Sequence, residues 1–179
     1  MSELSTAAAV LAALADQPRL ELFAEIGRRQ ARAQDCSTTT VAAALGRDLR
    51  AVLKDAVRLD ACGVLTIDKG TLRIKPEALK RASQAIVASL PLSPLLAEEP
   101  DLARFFRYGR LVAIPDNPRY RERVAALIVK LLPVGRELTE TEVNEPLRKV
   151  HDDHAALRRL LVDQTLLKRH RGCVYERSA

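Results

Sequence analysis

Apolar positions recur along most of this chain at helical spacing, and short alternating stretches interrupt them in two places. Residues 7–14, AAAVLAAL, are apolar and helix-prone. In ADQPRLELFAEIGRR, Asp16 is placed to cap a helix, with Pro18 in the first turn, where a missing N–H costs little. Leu20, Phe23 and Ile26, with Leu22 beside them, line one face. Gly27 marks the expected stop, and Arg28 and Arg29 lie where the helix dipole favours cations. After a polar break, Thr38 to Leu45 reads as a short helix with Val41, Ala42 and Leu45 inward. Gly46 supplies the turn, and Asp48 caps the next helix, LRAVLKDAVRLDA. On that helix Leu49, Val52, Leu53, Ala56 and Val57 form the predicted apolar stripe, while Arg50, Lys54 and Arg58 recur every four residues on another face. VLTID and TLRIK then alternate as strands around Asp68-Lys69-Gly70, in a hairpin decorated by Lys69, Arg73 and Lys75. Lys69 leaves the turn type open.

The same plan returns further along. EALKRASQAIVASL predicts a helix with Ala78, Leu79, Ala82, Ile86 and Leu90 on one face, suited to pairing with a second copy or to packing on the same chain. Three prolines in PLSPLLAEEP break the pattern and mark a boundary. Tyr108 to Ile114 reads as extended. The turn Pro115-Asp116-Asn117-Pro118 leads into a helix capped by Asn117 or Asp116, with Val124, Leu127, Ile128 and Leu131 on its apolar face. Thr139 and Glu142 have the spacing of a capping box. The helix that follows holds Val143, Leu147 and Val150, and Pro146 should kink or shorten it. Asp152 or Asp153 starts a further helix with Leu157, Leu160 and Leu161 inward, and KRHRGCVYER closes as a hairpin around Arg171-Gly172. The two copies run roughly over 38–75 and 139–177.

The expected fold class is therefore mainly α with small β-hairpins. It comprises two winged-helix-like units joined by a helix and a Pro-rich connector, divided as 1–90, 91–106 and 107–179. Composition agrees: of 179 residues, 47% are apolar and only 3% aromatic, so the cores must be built from Leu, Val, Ile and Ala. The formal charge of +6 favours polyanionic partners. Three widely spaced cysteines, Cys36, Cys62 and Cys173, form no disulfide framework and suit a reduced cytoplasm. Neither a signal peptide nor a membrane span of about 18 residues is expected.

The segments LADQPRLELFAEIG, VAAALGRDLRAVLKDAVRLDACGVL and TIDKGTLRIK, within residues 10–76, resemble ArsR-type winged helix-turn-helix regulators. The resemblance implies a homodimeric, DNA-binding repressor, often governed by a metal or small ligand. It gives the recognition-helix role to Arg47, Arg50, Lys54 and Arg58, and the wing role to Lys69 and Arg73. Lys75 and Arg28 add expected phosphate contacts. The family's metal-responsive members carry paired cysteines near the recognition helix. Here Cys62 stands alone, so no thiolate metal site is expected. GRLVAIPDNPRYRERV, TETEVNEPLRKVHDDHAALRRLLVDQTLLKR and GCVYER, within 107–177, look like an uncharacterised bacterial C-terminal domain found behind such regulators. That resemblance implies an architecture and no mechanism.

Arg158, Arg159, Lys168, Arg169 and Arg171 make a possible second basic surface. His151-Asp152-Asp153-His154 holds ligand-type side chains, but adjacent residues on a turn point in different directions, and helix capping explains the aspartates. No phosphate-cradling loop, activated nucleophile or metal set stands out, so neither an enzyme nor a cofactor is expected. The leading expectation is a regulator that binds double-stranded DNA, with a small-molecule effector possible. The alternative is a protein- or RNA-binding module without sequence-specific DNA binding.

Overall fold

Side-chain oxygens set the start of most helices. Ser2 accepts from the Ser5 amide and opens α1 (Glu3–Leu14), Asp16 accepts from Arg19 and opens α2 (Gln17–Ala31), and Ser37 opens α3 (Thr38–Leu45). Asp48 Oδ2 accepts from the Ala51 amide at 3.1 Å and starts α4 (Leu49–Ala61). Each such cap satisfies a backbone donor that the helix cannot. The computed structural model describes residues 2–178 and falls into two units, one ending at Ile86 and the other beginning at Val87. The fold is mainly helical with small antiparallel sheets.

In the first unit the core gathers Ala7 and Val10 of α1, Leu22 and Ile26 of α2, Val41 of α3 and Val52, Ala56 and Leu59 of α4. Burying each Val, Leu or Ile there contributes about 1.5–3 kcal/mol. β1 (Leu65–Asp68) pairs antiparallel with β2 (Thr71–Ile74), with Leu65 opposite Ile74 and Asp68 opposite Thr71. Lys69 and Gly70 alone form the loop, at φ 46° and 79°. Two successive left-handed residues match the twist of a tight hairpin, and Lys69 bears strain that glycine would not.

That hairpin is tied to the start of α3. The Thr38 amide and hydroxyl both donate to the Gly70 carbonyl, at 2.8 and 2.7 Å, and the Leu72 amide donates to Cys36 O at 2.9 Å. α5 (Pro76–Ala88) then buries Ala78, Ala82 and Ala85 in this same core.

Two expectations fail here. Gly27 does not stop α2, which runs on to Ala31. A Cβ at that position would stand 3.3 Å from Ile74 Cδ1, so the glycine allows the helix to approach β2 closely. Leu20 is exposed, and α2 buries Leu22 and Ile26 instead.

The second unit, from Val87, takes in the proline-rich stretch. α6 (Ser93–Glu98) and a 3-10 turn (Pro100–Phe105) form there, with Leu92 and Leu102 in the unit's core. Tyr108 to Ile114 is not one extended segment. β3 (Phe106–Arg107) and β4 (Arg110–Leu111) form a hairpin across Tyr108-Gly109, both at positive φ, because that dipeptide turns the chain back on itself. Asn117 caps α7 (Pro118–Val129), and Asp153 caps α9 (His154–Asp163). The expected box closes as Thr139 and Glu142 bond reciprocally at the start of α8 (Glu140–Val150), and Glu142 is held at about 2 chiefly by the Thr139 amide. α8 continues past Pro146 to Val150. β5 (Glu137–Thr139), which the pattern did not reveal, joins β6 (Leu167–Arg169) and β7 (Val174–Arg177) in a sheet ordered β5-β7-β6. Tyr175 is buried in the core of this unit.

Thr165 follows α9 at φ 57°, with its amide bonded to Val162 O and the Leu166 amide to Leu161 O. This is the left-handed helix exit that glycine favours, occupied by a β-branched residue. Thr165→Gly is expected to stabilise the unit by about 0.5–1 kcal/mol, after allowing for glycine's extra unfolded-state entropy. All three tyrosines, Tyr108, Tyr120 and Tyr175, lie in this unit, so a shift in the urea midpoint of tyrosine fluorescence measures it.

Candidate nucleic-acid interface

α4 turns a cationic row outward because its inner face is Val52, Asp55, Ala56 and Leu59. Arg50, Lys54 and Arg58 are exposed on it. The helix ends at Cys62, and the chain enters β1 within three residues, with Gly63 at φ 76° making the bend. Lys69 at the hairpin tip, Arg73 on β2 and Lys75 after it are exposed too. Arg73 points away from the core because its neighbours Leu72 and Ile74 take the inner side. None of these six has a side-chain hydrogen bond or an ion pair among the described residues. Exposed carboxylates at Asp48, Asp60 and Asp68 interrupt the positive field, although Asp48 is engaged in its cap.

Three expected contacts behave differently. Arg47 is drawn inward. It donates to Asp55 Oδ2 at 2.5 Å and to Pro18 O at 2.9 Å, since Asp55 is buried and needs a counter-charge. Arg47 thus joins α2 to α4 and is not a free donor. Arg28 forms a two-pronged pair with Glu25, at 2.8 and 2.6 Å, and Arg29 adds a bond of 2.7 Å to the same carboxylate. The Arg28 guanidinium is the main reason that the Glu25 carboxyl is held at about 2. On the second basic surface, Arg158 bonds to Asn144 Oδ1, pairs with Glu140 at 3.0 Å, and lies over the Tyr175 ring at 5.6 Å. It fastens α9 to α8. Arg169 is exposed but engages Tyr175 and the Cys173 sulfur, whereas Arg159, Lys168 and Arg171 are exposed without ion pairs among the described residues.

The apolar stripe expected on α4 is also displaced. Leu49, Leu53 and Val57 are exposed, and Leu59 takes the inward place. The buried face is Val52, Asp55, Ala56 and Leu59, and Asp55 can sit on it because Arg47 neutralises its carboxylate. No sequence signal for that pairing stood out, because Arg47 and Asp55 are eight residues apart and separated by a turn.

The His-Asp run serves local structure. His151 Nδ1 accepts from the Asp153 amide, Asp153 caps α9, and Asp152 pairs with Arg110 at 2.5 Å. No group of three or more metal-ligating side chains occurs among the described residues. Burial pushes the Cys36 thiol upward, away from the reactive thiolate form. No helix among the described residues is long and apolar enough to cross a membrane.

Residues 110–177 match a family described as an uncharacterized protein conserved in bacteria, DUF2087. The match runs from β4 to β7 within the second unit, close to the 107–177 read from the residues. No curated protein and no solved structure matches the chain.

Two outcomes follow from these pairs. Asp55→Ala should destabilise the first unit by about 2 kcal/mol, less than a fully buried pair because both partners keep some solvent contact. Adding Arg47→Met should restore most of that loss, read as a double-mutant cycle in denaturant followed by far-ultraviolet circular dichroism. Glu25 has a folded pKa below its ordinary 4.5, so its contribution is complete above that value and fades as pH falls towards about 2. Glu25→Gln should therefore flatten the stability–pH curve across that window, measured by thermal unfolding.

Proposed function

We propose that the first unit is a winged helix-turn-helix of the ArsR type and that the protein is a DNA-binding transcriptional regulator without enzymatic activity. In this reading α3 and α4 are the helix-turn-helix, α4 enters the major groove, and the β1–β2 hairpin is the wing along the phosphates. The observation that carries it is the set of six cationic side chains on α4 and the hairpin that form no ion pair among the described residues. Arg50 and Lys54 are the base-edge donors. Arg58, Lys69, Arg73 and Lys75 hold phosphate oxygens, which set register without reading sequence.

Further support comes from local geometry. Gly46 closes α3 in the left-handed conformation at φ 61°, so the turn between the two helices is short. The bonds from Thr38 to Gly70 connect the proposed wing to the first of those helices. Strain at Lys69 keeps a cation at the hairpin tip where glycine would be easier, and strained residues gather where function requires them.

The resemblance of residues 10–76 extends the proposal to a cytoplasmic homodimer on double-stranded DNA, with a small-molecule effector. The second unit is read as a winged-helix-like companion, with Arg159, Lys168 and Arg171 as its available cations.

Fluorescence anisotropy with promoter fragments from the source genome tests this. Binding should weaken steeply with salt. Arg50→Ala and Lys54→Ala should each lose about 1–3 kcal/mol and blur the preference among sequences. Lys69→Gly should lower the salt slope by about one while raising the unfolding midpoint, because one residue serves the partner at the fold's expense. Unchanged affinity in all three variants, or an absence of DNA binding, overturns the reading.

A further inference from the structure

The outward side of α4 carries more than charge. Leu49, Leu53 and Val57 stand in solvent at 39%, 37% and 56% exposure. At four-residue intervals they form one ridge along the helix, and the row of Arg50, Lys54 and Arg58 flanks it, with Arg50 and Lys54 three residues before Leu53 and Val57. A surface that satisfies both rows must offer aliphatic contacts along one line and anionic groups along the next. The major groove of thymine-containing DNA does this. The C5-methyl of thymine is the apolar group that base pairs present there, and phosphates flank it. Charge complementarity selects this occupant, since the cations beside the ridge have no carboxylate partner among the described residues. Asp60, in the last turn of α4, would repel phosphate, which leaves the helix up to Arg58 as the contact. In a groove-inserted helix it is the N-terminal residues that reach base edges.

We infer that α4 reads thymine methyl groups. Leu53 and Val57, with Leu49 at the helix start, contact C5-methyls while Arg50 and Lys54 engage acceptor atoms on adjacent bases. The inference rests on the DNA-binding reading above and adds the base that the helix prefers.

Duplexes selected by the protein from a random-sequence pool are resynthesised with deoxyuridine for thymidine. The change removes the methyl and keeps every hydrogen-bonding group. Anisotropy at fixed salt should show about a tenfold loss if two or three methyl contacts disappear. In Leu53→Ala and Val57→Ala the thymine-to-uracil affinity ratio should fall towards one. These side chains are exposed, so both variants should keep the wild-type circular dichroism spectrum. A uracil scan position by position reads the same contacts on the unaltered protein. Equal affinity for the two duplexes overturns the inference and leaves DNA binding intact. A ratio that persists in both variants also overturns it, since duplex shape would then be the source. Failure to enrich any duplex defeats the DNA-binding reading itself. Sedimentation tests the other occupant: a wild-type dimer that Leu53→Asp converts to monomer gives the ridge to a second copy and overturns the inference.

Discussion

In the first unit one carbonyl ties the hairpin to α3. Gly70 O receives both the amide and the hydroxyl of Thr38, and beside it the Leu72 amide reaches Cys36 O. A two-stranded hairpin is marginal by itself in water. These bonds give β2 a second neighbour, and burial of Leu65 and Leu72 does the rest. This attachment fixes the ribbon that carries Lys69 and Arg73 to α3, as the bond from the Ile74 amide to Gln30 Oε1 fixes it to α2.

A second constraint sets which way α4 faces. Asp55 can be buried only because Arg47 neutralises it, and Arg47 can reach it only because Gly46 folds the chain sharply before the helix. With Val52, Ala56 and Leu59 buried on the same face, three aliphatic side chains are left in water and the cationic row faces outward. The second unit uses the same device, with Arg158 joining Glu140 and Asn144 on α8 to the helix that carries it.

Much of this was legible from residue order. Asp16, Asp48 and the Thr139–Glu142 box announced helix starts, because capping is a local matter of one side chain and an amide three residues on. The alternation around Lys69-Gly70 announced the hairpin for the same reason. What stayed hidden was non-local. Gly27 reads as a helix end until Ile74 is known to lie against it. Arg28, Arg47 and Arg158 read as free cations until Glu25, Asp55 and Glu140 are found beside them. β5 has three residues, too few for alternation to register, and only its pairing with β7 defines it. Of the cations singled out in the sequence, those that stand exposed and unpaired among the described residues are those whose exposure follows from alternation or helical phase, such as Arg50, Lys54 and Arg73. Arg28, Arg47 and Arg158 are paired with acidic neighbours that periodicity does not see.

The attachment of the β1–β2 loop to α3 has an engineering consequence. Its acceptor is a main-chain oxygen, present whatever side chains the loop displays, and its donors come from Thr38, outside the loop. Provided that two left-handed positions are kept, the tip can be rewritten without unseating the ribbon. Such a platform would let chemically diverse tips be grafted and compared on a constant scaffold.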